Sequence, residues 1–370
     1  MKQFVERERE RERDGAAVLK ERPARDSNAE LLRILCMLMI VCHHYIVHAF
    51  FPEVLQHTYH STSGAILLFL HCFIYIGVNC FILISGYYGI KTRIHSFTNI
   101  YLICALYFCI KPIGEFFYAL TPYGADSLTA SLTMGERICR VLSNTFLPIS
   151  SNGLWFLQCY VALLILSPIL NMARDHFLMR QYQVVLLLMT FGNLYFGWWR
   201  NMAGFSADGY ATAQFVYLYM VGGYLRRYAD FSGMRWKAFA VYVISSLLWG
   251  VCVMVIPEWS AFAYNNIFVL LSAMGFFIFV MSFHFQSKVV NWLAASCLAV
   301  YIIQERYVNY KLLASMVDGW ANWQLVLLLI SLTLLTFLGV ILIDKVRMLV
   351  QRPLNDGLDM LLARCWSWWR

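Results

Sequence analysis

The sequence predicts an all-α, polytopic integral membrane protein with about ten transmembrane helices. Of its 370 residues, 60% are hydrophobic and only 14% are charged, whereas roughly a quarter of the residues in an ordinary soluble domain are charged. The mean hydropathy is +0.60, and 12 tryptophans supply aromatic side chains of the kind found at membrane–water interfaces. Because so few charged residues could not cover a soluble core of this apolarity, we expect most of the chain to lie in lipid.

Ten apolar segments approach the length of about 20 helical residues that a bilayer crossing needs. They lie near residues 31–51, 64–87, 98–119, 153–171, 183–200, 212–226, 237–257, 262–284, 290–305 and 324–344. The sixth and ninth segments are short and rich in aromatic residues, so their ends are the least well defined. Ten crossings would place both termini on the same side of the membrane.

The distribution of lysine and arginine predicts which side that is, because cytoplasmic loops carry an excess of both residues. With the N-terminus inside, the inner loops contain Lys91, Arg93, Arg174, Arg180, Arg226, Arg227, Arg235, Lys237 and Lys288. The outer loops contain Arg137, Arg140, Arg200, Arg306 and Lys311. The pattern predicts an N-in, C-in protein of the cell membrane (inner or plasma membrane) with both termini cytoplasmic. We therefore attribute the net charge of +8 to topology and expect no nucleic-acid partner.

Three regions follow from the charge and hydropathy profile. Residues 1–28 include the run ERERERERD and have almost nothing to bury, which predicts a charged, disordered cytoplasmic tail. Residues 29–345 form the membrane domain, and residues 346–370 form a cytoplasmic C-terminal tail.

The 11 cysteines contain no C-x-x-C pair and lie mostly in apolar segments. We therefore expect free thiols and no metal site.

Two local predictions concern the middle of the chain. In the outer loop near residues 120–152, Thr133 and Glu136 have the spacing of a capping box, and apolar residues at helical spacing follow them. This pattern predicts a short amphipathic helix. Lys111 and Glu115 are four residues apart, and we expect them to form an ion pair within one helix.

The first predicted span, RILCMLMIVCHHYIVH over residues 33–48, carries ionisable side chains that lipid disfavours. Arg33 and His44 are eleven residues apart, almost three helical turns, so both lie on one face with roughly 16 Å between them along the axis. Arg33 would then lie at the inner interface and His44 near the middle of the bilayer. His43 points about 100° away from His44, whereas His48 is one turn further along the same face.

This placement suits an enzyme that handles a long anionic donor from the cytoplasm. The planar guanidinium of arginine donates paired hydrogen bonds to phosphate, and a neutral imidazole can accept a proton or attack a carbonyl. Each residue also has a structural interpretation: Arg33 as a topology anchor that reaches the interface, and His44 as a hydrogen-bond partner between helices. Their shared face favours the functional interpretation.

Four stretches resemble, in order, motifs of the acyltransferase-3 family of integral membrane acyltransferases. NAELLRILCMLMIVCHHY (28–45) resembles the first span of the family, in which ten residues separate an arginine from a histidine. Three further stretches resemble later spans of the family: GVNCFILISGYYGIKTR (77–93), LWFLQCYVALLILSPILN (154–171) and SCLAVYIIQE (296–305). Together they cover about residues 28–345 and indicate the stand-alone form, without an extracellular esterase-like domain.

The resemblance implies transfer of an acyl group, usually acetyl, from cytoplasmic acetyl-CoA to a hydroxyl of a cell-surface or lipid-linked glycan. It makes Arg33 and His44 the essential pair, and it implies acyl-CoA as a co-substrate with no tightly bound cofactor. Lys91 and Arg93 fall where the family places a basic pair near the CoA phosphates, although the positive-inside rule explains them equally well. The expected partners are acyl-CoA, the glycan acceptor and the lipid bilayer.

The same motifs contain four residues to which we assign supporting roles: Glu30, Asn79, Ser85 and Trp155. Asn79 stands where many relatives have aspartate, and Gln304 stands where many have a second histidine. Asn79 therefore lacks a charge that could orient a neighbouring group, and Gln304 argues against a mechanism that uses a second histidine.

Two alternatives stay open at this stage. His44 could act as a general base, or it could carry the acyl group itself as an acyl-histidine. The alternative function is a transporter or flippase for a lipid-linked sugar, which would also need polar residues within the membrane. That function predicts an internal repeat between two halves of the chain, and the sequence shows none.

Overall fold

The computed structural model describes residues 26–50, 62–91, 94–121, 131–151, 154–202, 205–256, 262–317 and 322–367. These residues form helices and turns with no strand among them, which confirms the predicted all-α class. Their α-helices are α1 Ser27–Tyr45, α2 Thr62–Ile74, α3 Gly77–Tyr88, α4 Ile94–Tyr118, α5 Met134–Phe146, α6 Pro148–Ser151, α7 Trp155–His176, α8 Met179–Phe191, α9 Thr212–Tyr228, α10 Arg235–Val255, α11 Ile267–Met281, α12 Lys288–Ala294, α13 Cys297–Tyr307, α14 Tyr310–Met316 and α15 Asn322–Ser367. Two of them continue directly as π-helical segments, α1 through Ile46–Phe50 and α8 through Gly192–Trp199.

Six of the described helical segments are long and apolar enough to cross a membrane, as a multi-pass membrane protein requires. They are Ser27–Phe50, Ala65–Tyr88, Phe97–Tyr118, Trp155–His176, Arg235–Val255 and Trp323–Leu358. Other predicted spans coincide with shorter or interrupted helices: α11 has 15 residues, and the segment predicted at 290–305 is divided between α12 and α13. The count of ten spans and the N-in, C-in orientation are not established by these helices and stay predictions.

Helix α1 is the central helix of the bundle. It packs against α3, α11, α12, α13 and α15, and its buried side chains belong to the main hydrophobic core. Polar side chains on α1 can therefore face other helices instead of lipid, where an unpaired polar group would be costly.

Glycines allow α3 and α9 to approach each other closely. A Cβ atom added at Gly86 would lie 2.1 Å from the carbonyl oxygen of Tyr219, and one added at Gly222 would lie 2.4 Å from that of Leu83. Both obstacles are backbone atoms, which cannot rotate away as a side chain can. The two helices can therefore keep this separation only with glycine at these positions.

We expect Gly86→Ala to destabilise the protein by about 1–3 kcal/mol, because overpacking a close contact forces the backbone apart. The thermal unfolding midpoint of the purified protein in detergent measures the effect. Gly339→Ala is the matched control, since a Cβ atom at Gly339 would meet no atom within 4 Å. Equal midpoints for the two variants would contradict the close packing of α3 and α9.

The amphipathic helix predicted in the long loop is α5, and its capping box is confirmed. The backbone N–H of Glu136 donates to Thr133 Oγ1 at 3.3 Å, and the N–H of Thr133 donates to Glu136 Oε2 at 2.7 Å. The hydrogen bond from the backbone of Thr133 holds the pKa of the Glu136 carboxyl below its usual value.

The predicted pairing of Glu115 with Lys111 is wrong. Glu115 Oε2 lies 3.0 Å from Arg140 Nη2 of α5, because the folded loop brings a second cation to α4.

Helix α15 extends well beyond the last predicted span. Residues 346–367 of the predicted C-terminal tail continue the helix without a break. The helix packs against α1, α4 and α13, and Gln351 Nε2, beyond residue 346, donates to Asn99 Oδ1 of α4 at 2.9 Å. Part of the predicted tail therefore packs on the membrane domain.

Candidate active site

A cavity of about 910 Å³ lies beside α1. Arg33, near the start of the helix, and His44, near its end, both line this cavity. The two side chains are 32% and 12% exposed, respectively. The volume falls within the range of small-molecule sites, roughly 300–1,000 Å³. The helical spacing of the two residues thus places both of them on the wall of one ligand-sized space.

Two residues of α13 contact the ring of His44. Glu305 Oε1 lies 2.9 Å from His44 Nδ1, and Gln304 Nε2 lies 2.5 Å from the same nitrogen. An Nδ1–H group that donates to the Glu305 carboxylate selects the tautomer in which Nε2 carries the lone pair. A proton acceptor held in this way can act as a general base.

The Gln304 amide is compatible with this tautomer. It lies between His44 Nδ1 and the Tyr310 hydroxyl. Oxygen and nitrogen of a side-chain amide exchange positions on a 180° rotation. After that rotation, Gln304 Oε1 could accept from Nδ1–H alongside Glu305, because one N–H can be shared between two acceptors.

The other histidines of α1 and its extension lie outside the cavity wall. His43 Nδ1 is 2.6 Å from His71 Nε2 of α2, a hydrogen bond between a half-buried ring and a buried one. The ring centroid of His48 is 5.7 Å from that of His44, as their spacing predicts, and 5.4 Å from that of Tyr310. In the described part of the chain, no group of three or more His, Cys, Asp or Glu residues is arranged to hold a metal ion.

Arg33 is paired with a carboxylate that also lines the cavity. Its Nη1 donates to Glu30 Oε1 at 2.6 Å, one turn earlier on α1. Five further polar residues from α4 and α15 line the cavity: Asn99, Arg347, Gln351, Arg352 and Asn355. We call these five residues together with Glu30 and Arg33 the arginine end of the cavity.

The supporting residues predicted from the motifs separate into two groups. Ser85 and Trp155 line the cavity together with Glu30. Asn79 does not line it: its buried Nδ2 donates to the carbonyl oxygen of Tyr264 at 2.8 Å, and its Oδ1 accepts from Gln214 Nε2 at 3.3 Å. These bonds hold the chain just before α11, which is a structural role.

The structure describes one residue of the predicted basic pair, Lys91. Lys91 is exposed and does not contribute to the lining of the cavity, and Arg93 lies outside the described residues.

The structure places Glu305 at the site, although Glu305 was not among the predicted site residues. An acidic residue at the end of an apolar motif was the available signal, and its partner could not be read from spacing because it lies on another helix.

Comparison with known proteins agrees with the motifs. The acyltransferase-3 family model, described as an acyltransferase domain, matches residues 26–345. The match includes α1 and the two residues of α13 that contact His44, and it ends just before Arg347. Searches of curated proteins and of solved structures give no significant match.

Proposed function

Since this chain belongs to the acyltransferase-3 family, we propose that it transfers an acyl group from cytoplasmic acyl-CoA to a hydroxyl of a cell-surface or lipid-linked glycan. Acetyl-CoA is the proposed donor. The observation that carries the proposal is the wall of a single cavity, with an imidazole backed by a carboxylate toward one end of α1 and arginines toward the other.

In the proposed reaction His44 is the general base. Its Nε2 takes the proton of the acceptor hydroxyl while the hydroxyl oxygen attacks the thioester carbonyl carbon. The C–S bond then breaks, and the imidazolium returns the proton to the departing thiolate, so the products are an ester and free CoA. Glu305 holds the ring through Nδ1–H and stabilises the positive charge that the ring carries between the two proton transfers.

Arg33 has a separate role at the polar end of the donor. Arginine is well suited to phosphate because its planar group donates two parallel hydrogen bonds. The axial separation of roughly 16 Å between Arg33 and His44 matches a donor whose charged end and reactive thioester are joined by a long arm. Transport of a lipid-linked sugar would not require a general base, so it would not explain why a carboxylate contacts the His44 imidazole.

A double-label experiment tests the proposed function. Membranes that supply the natural acceptor and contain the chain are incubated with acetyl-CoA labelled in the acetyl group or, separately, in the adenine ring. We expect the acetyl label to enter the glycan fraction and the adenine label to stay soluble. Membranes without the chain are the control. If the acetyl label remains with CoA in the presence of the chain and acceptor, the proposed function is wrong.

A further inference from the structure

We infer that the arginine end of the cavity is a nucleotide site, in which α15 binds the 3′-phosphoadenosine diphosphate portion of the acyl donor. This inference rests on the proposed function, because it assigns a place to one part of the donor. It also reaches beyond the family match, which ends at residue 345, because four of the residues that form the site follow that point: Arg347, Gln351, Arg352 and Asn355.

The antiparallel packing of α1 and α15 brings these residues level with Arg33. The Tyr45 hydroxyl and Thr336 Oγ1 are 2.7 Å apart. Arg33 precedes Tyr45 by twelve residues, and residue 348 follows Thr336 by the same number. Equal rises along two antiparallel helices therefore place the segment around residue 348 beside Arg33, and Met348 itself lines the same cavity.

The arginines at this end have N–H groups that their ion pairs do not use. Arg347 Nε donates to the buried Asp344 Oδ1 at 2.5 Å, and Arg33 uses Nη1 for Glu30. A guanidinium has five N–H groups, so each arginine can bind a carboxylate and a phosphate at once. Arg352 is exposed, and among the described side chains no carboxylate forms an ion pair with it. The two carboxylates thus orient two of the three cations and leave a net positive end.

The amide side chains beside them leave two acceptors unused. Gln351 Nε2 donates to Asn99 Oδ1 at 2.9 Å, and Asn355 Nδ2 donates to the same oxygen at 3.3 Å. Gln351 and Asn355 are 2% and 8% exposed, yet Gln351 Oε1 and Asn355 Oδ1 have no partner within the described structure. Buried polar atoms are rarely left without a hydrogen bond, so these oxygens indicate a ligand that brings N–H donors.

Adenine and its phosphates match both features of the site. The exocyclic amino group of adenine provides two N–H donors for the free amide oxygens, and the phosphates of the donor provide anions for the arginines. Inorganic pyrophosphate shares the anionic chemistry but has no N–H donor. The combination of unused acceptors and arginines therefore favours a nucleotide over a free phosphate.

Binding to the full-length protein in detergent tests the inference, with adenosine 3′,5′-bisphosphate and pyrophosphate as probes in titration calorimetry. We expect Arg352→Ala to weaken binding of the adenosine probe about tenfold, the effect of losing one charge-assisted hydrogen bond. Gln351→Met, of similar size, should weaken the adenosine probe about tenfold and leave pyrophosphate binding unchanged. Arg180→Ala is the control, since Arg180 is exposed and lies outside the cavity.

Transfer kinetics give a second readout that separates binding from folding. The ratio of kcat/KM for acetyl-CoA to kcat/KM for S-acetylpantetheine, which lacks the nucleotide, should fall about tenfold in Arg352→Ala. Unchanged affinity for the adenosine probe and an unchanged ratio would overturn the nucleotide site, even with acyl transfer intact. Nucleotide binding that depends on Arg352 and Gln351 without any acetyl transfer would support the site and overturn the proposed function.

Discussion

Replacement of His44 with alanine is expected to lower kcat/KM for acyl transfer by a factor on the order of 10²–10⁴, the range supplied by a positioned general base. Without the imidazole, the reaction loses the group that takes the proton of the acceptor hydroxyl as it attacks the thioester. The rate of label transfer from acetyl-CoA to glycan, compared at equal amounts of protein in the membrane, measures the loss.

His176→Ala provides the matched control for that substitution. His176 is exposed at the end of α7, and its Nδ1 lies 2.9 Å from the carbonyl oxygen of Met172 in the same helix. We expect this variant to retain the wild-type rate, since the residue lies outside the cavity lining. A His44→Ala protein that folds and transfers acetyl as fast as the control would rule out His44 as the base.

Glu305→Gln is expected to lower kcat by a comparable factor, on the order of 10²–10⁴, although the residue need not touch the substrate. The amide lacks the negative charge that stabilises the imidazolium, and its N–H₂ group can favour the wrong tautomer of His44. The KM for acetyl-CoA should stay within about threefold of wild type, because the donor's polar end is bound elsewhere. Steady-state kinetics over a range of acetyl-CoA concentrations separate the two parameters.

Two comparison variants define what a loss at Glu305 means. Glu305→Asp keeps the charge and should recover part of the lost kcat, whereas a purely packing role would show no such recovery. Glu136→Gln makes the same chemical change at an exposed position on α5 and should leave kcat near the wild-type value. Wild-type kcat in Glu305→Gln would show that the contact with His44 does not assist the reaction.

The opening motif could be predicted because its information is local. Eleven residues at 3.6 per turn place Arg33 and His44 on one face wherever the helix lies, and both line the cavity. The capping box of α5 was equally local, since Thr133 and Glu136 satisfy each other's backbone groups within one turn. Composition alone was enough for the all-helical membrane class, because a lipid environment admits few other structures.

The contacts that a helix makes with distant segments could not be predicted in the same way. Glu305 and Gln304 reach His44 only because α13 packs on α1. The spacing of residues along the chain does not show which helices pack together. Arg140 competes with Lys111 for Glu115 for the same reason. Hydropathy predicted a tail after residue 345 because charged residues become frequent there. It could not show that α15 continues as a helix and places polar residues on the cavity wall.

A structure of the protein with a non-reactive thioether analogue of acetyl-CoA would show whether the acyl group of the donor meets His44 inside the cavity. We expect the carbonyl carbon of the analogue within roughly 6 Å of His44 Nε2, because one hydroxyl oxygen must fit between the base and the carbon it attacks. The carbonyl should lie inside the cavity, with the nucleotide end toward Arg33. An analogue bound outside this cavity, or with its carbonyl more than about 10 Å from His44, would contradict the role of His44 as the base in acyl transfer.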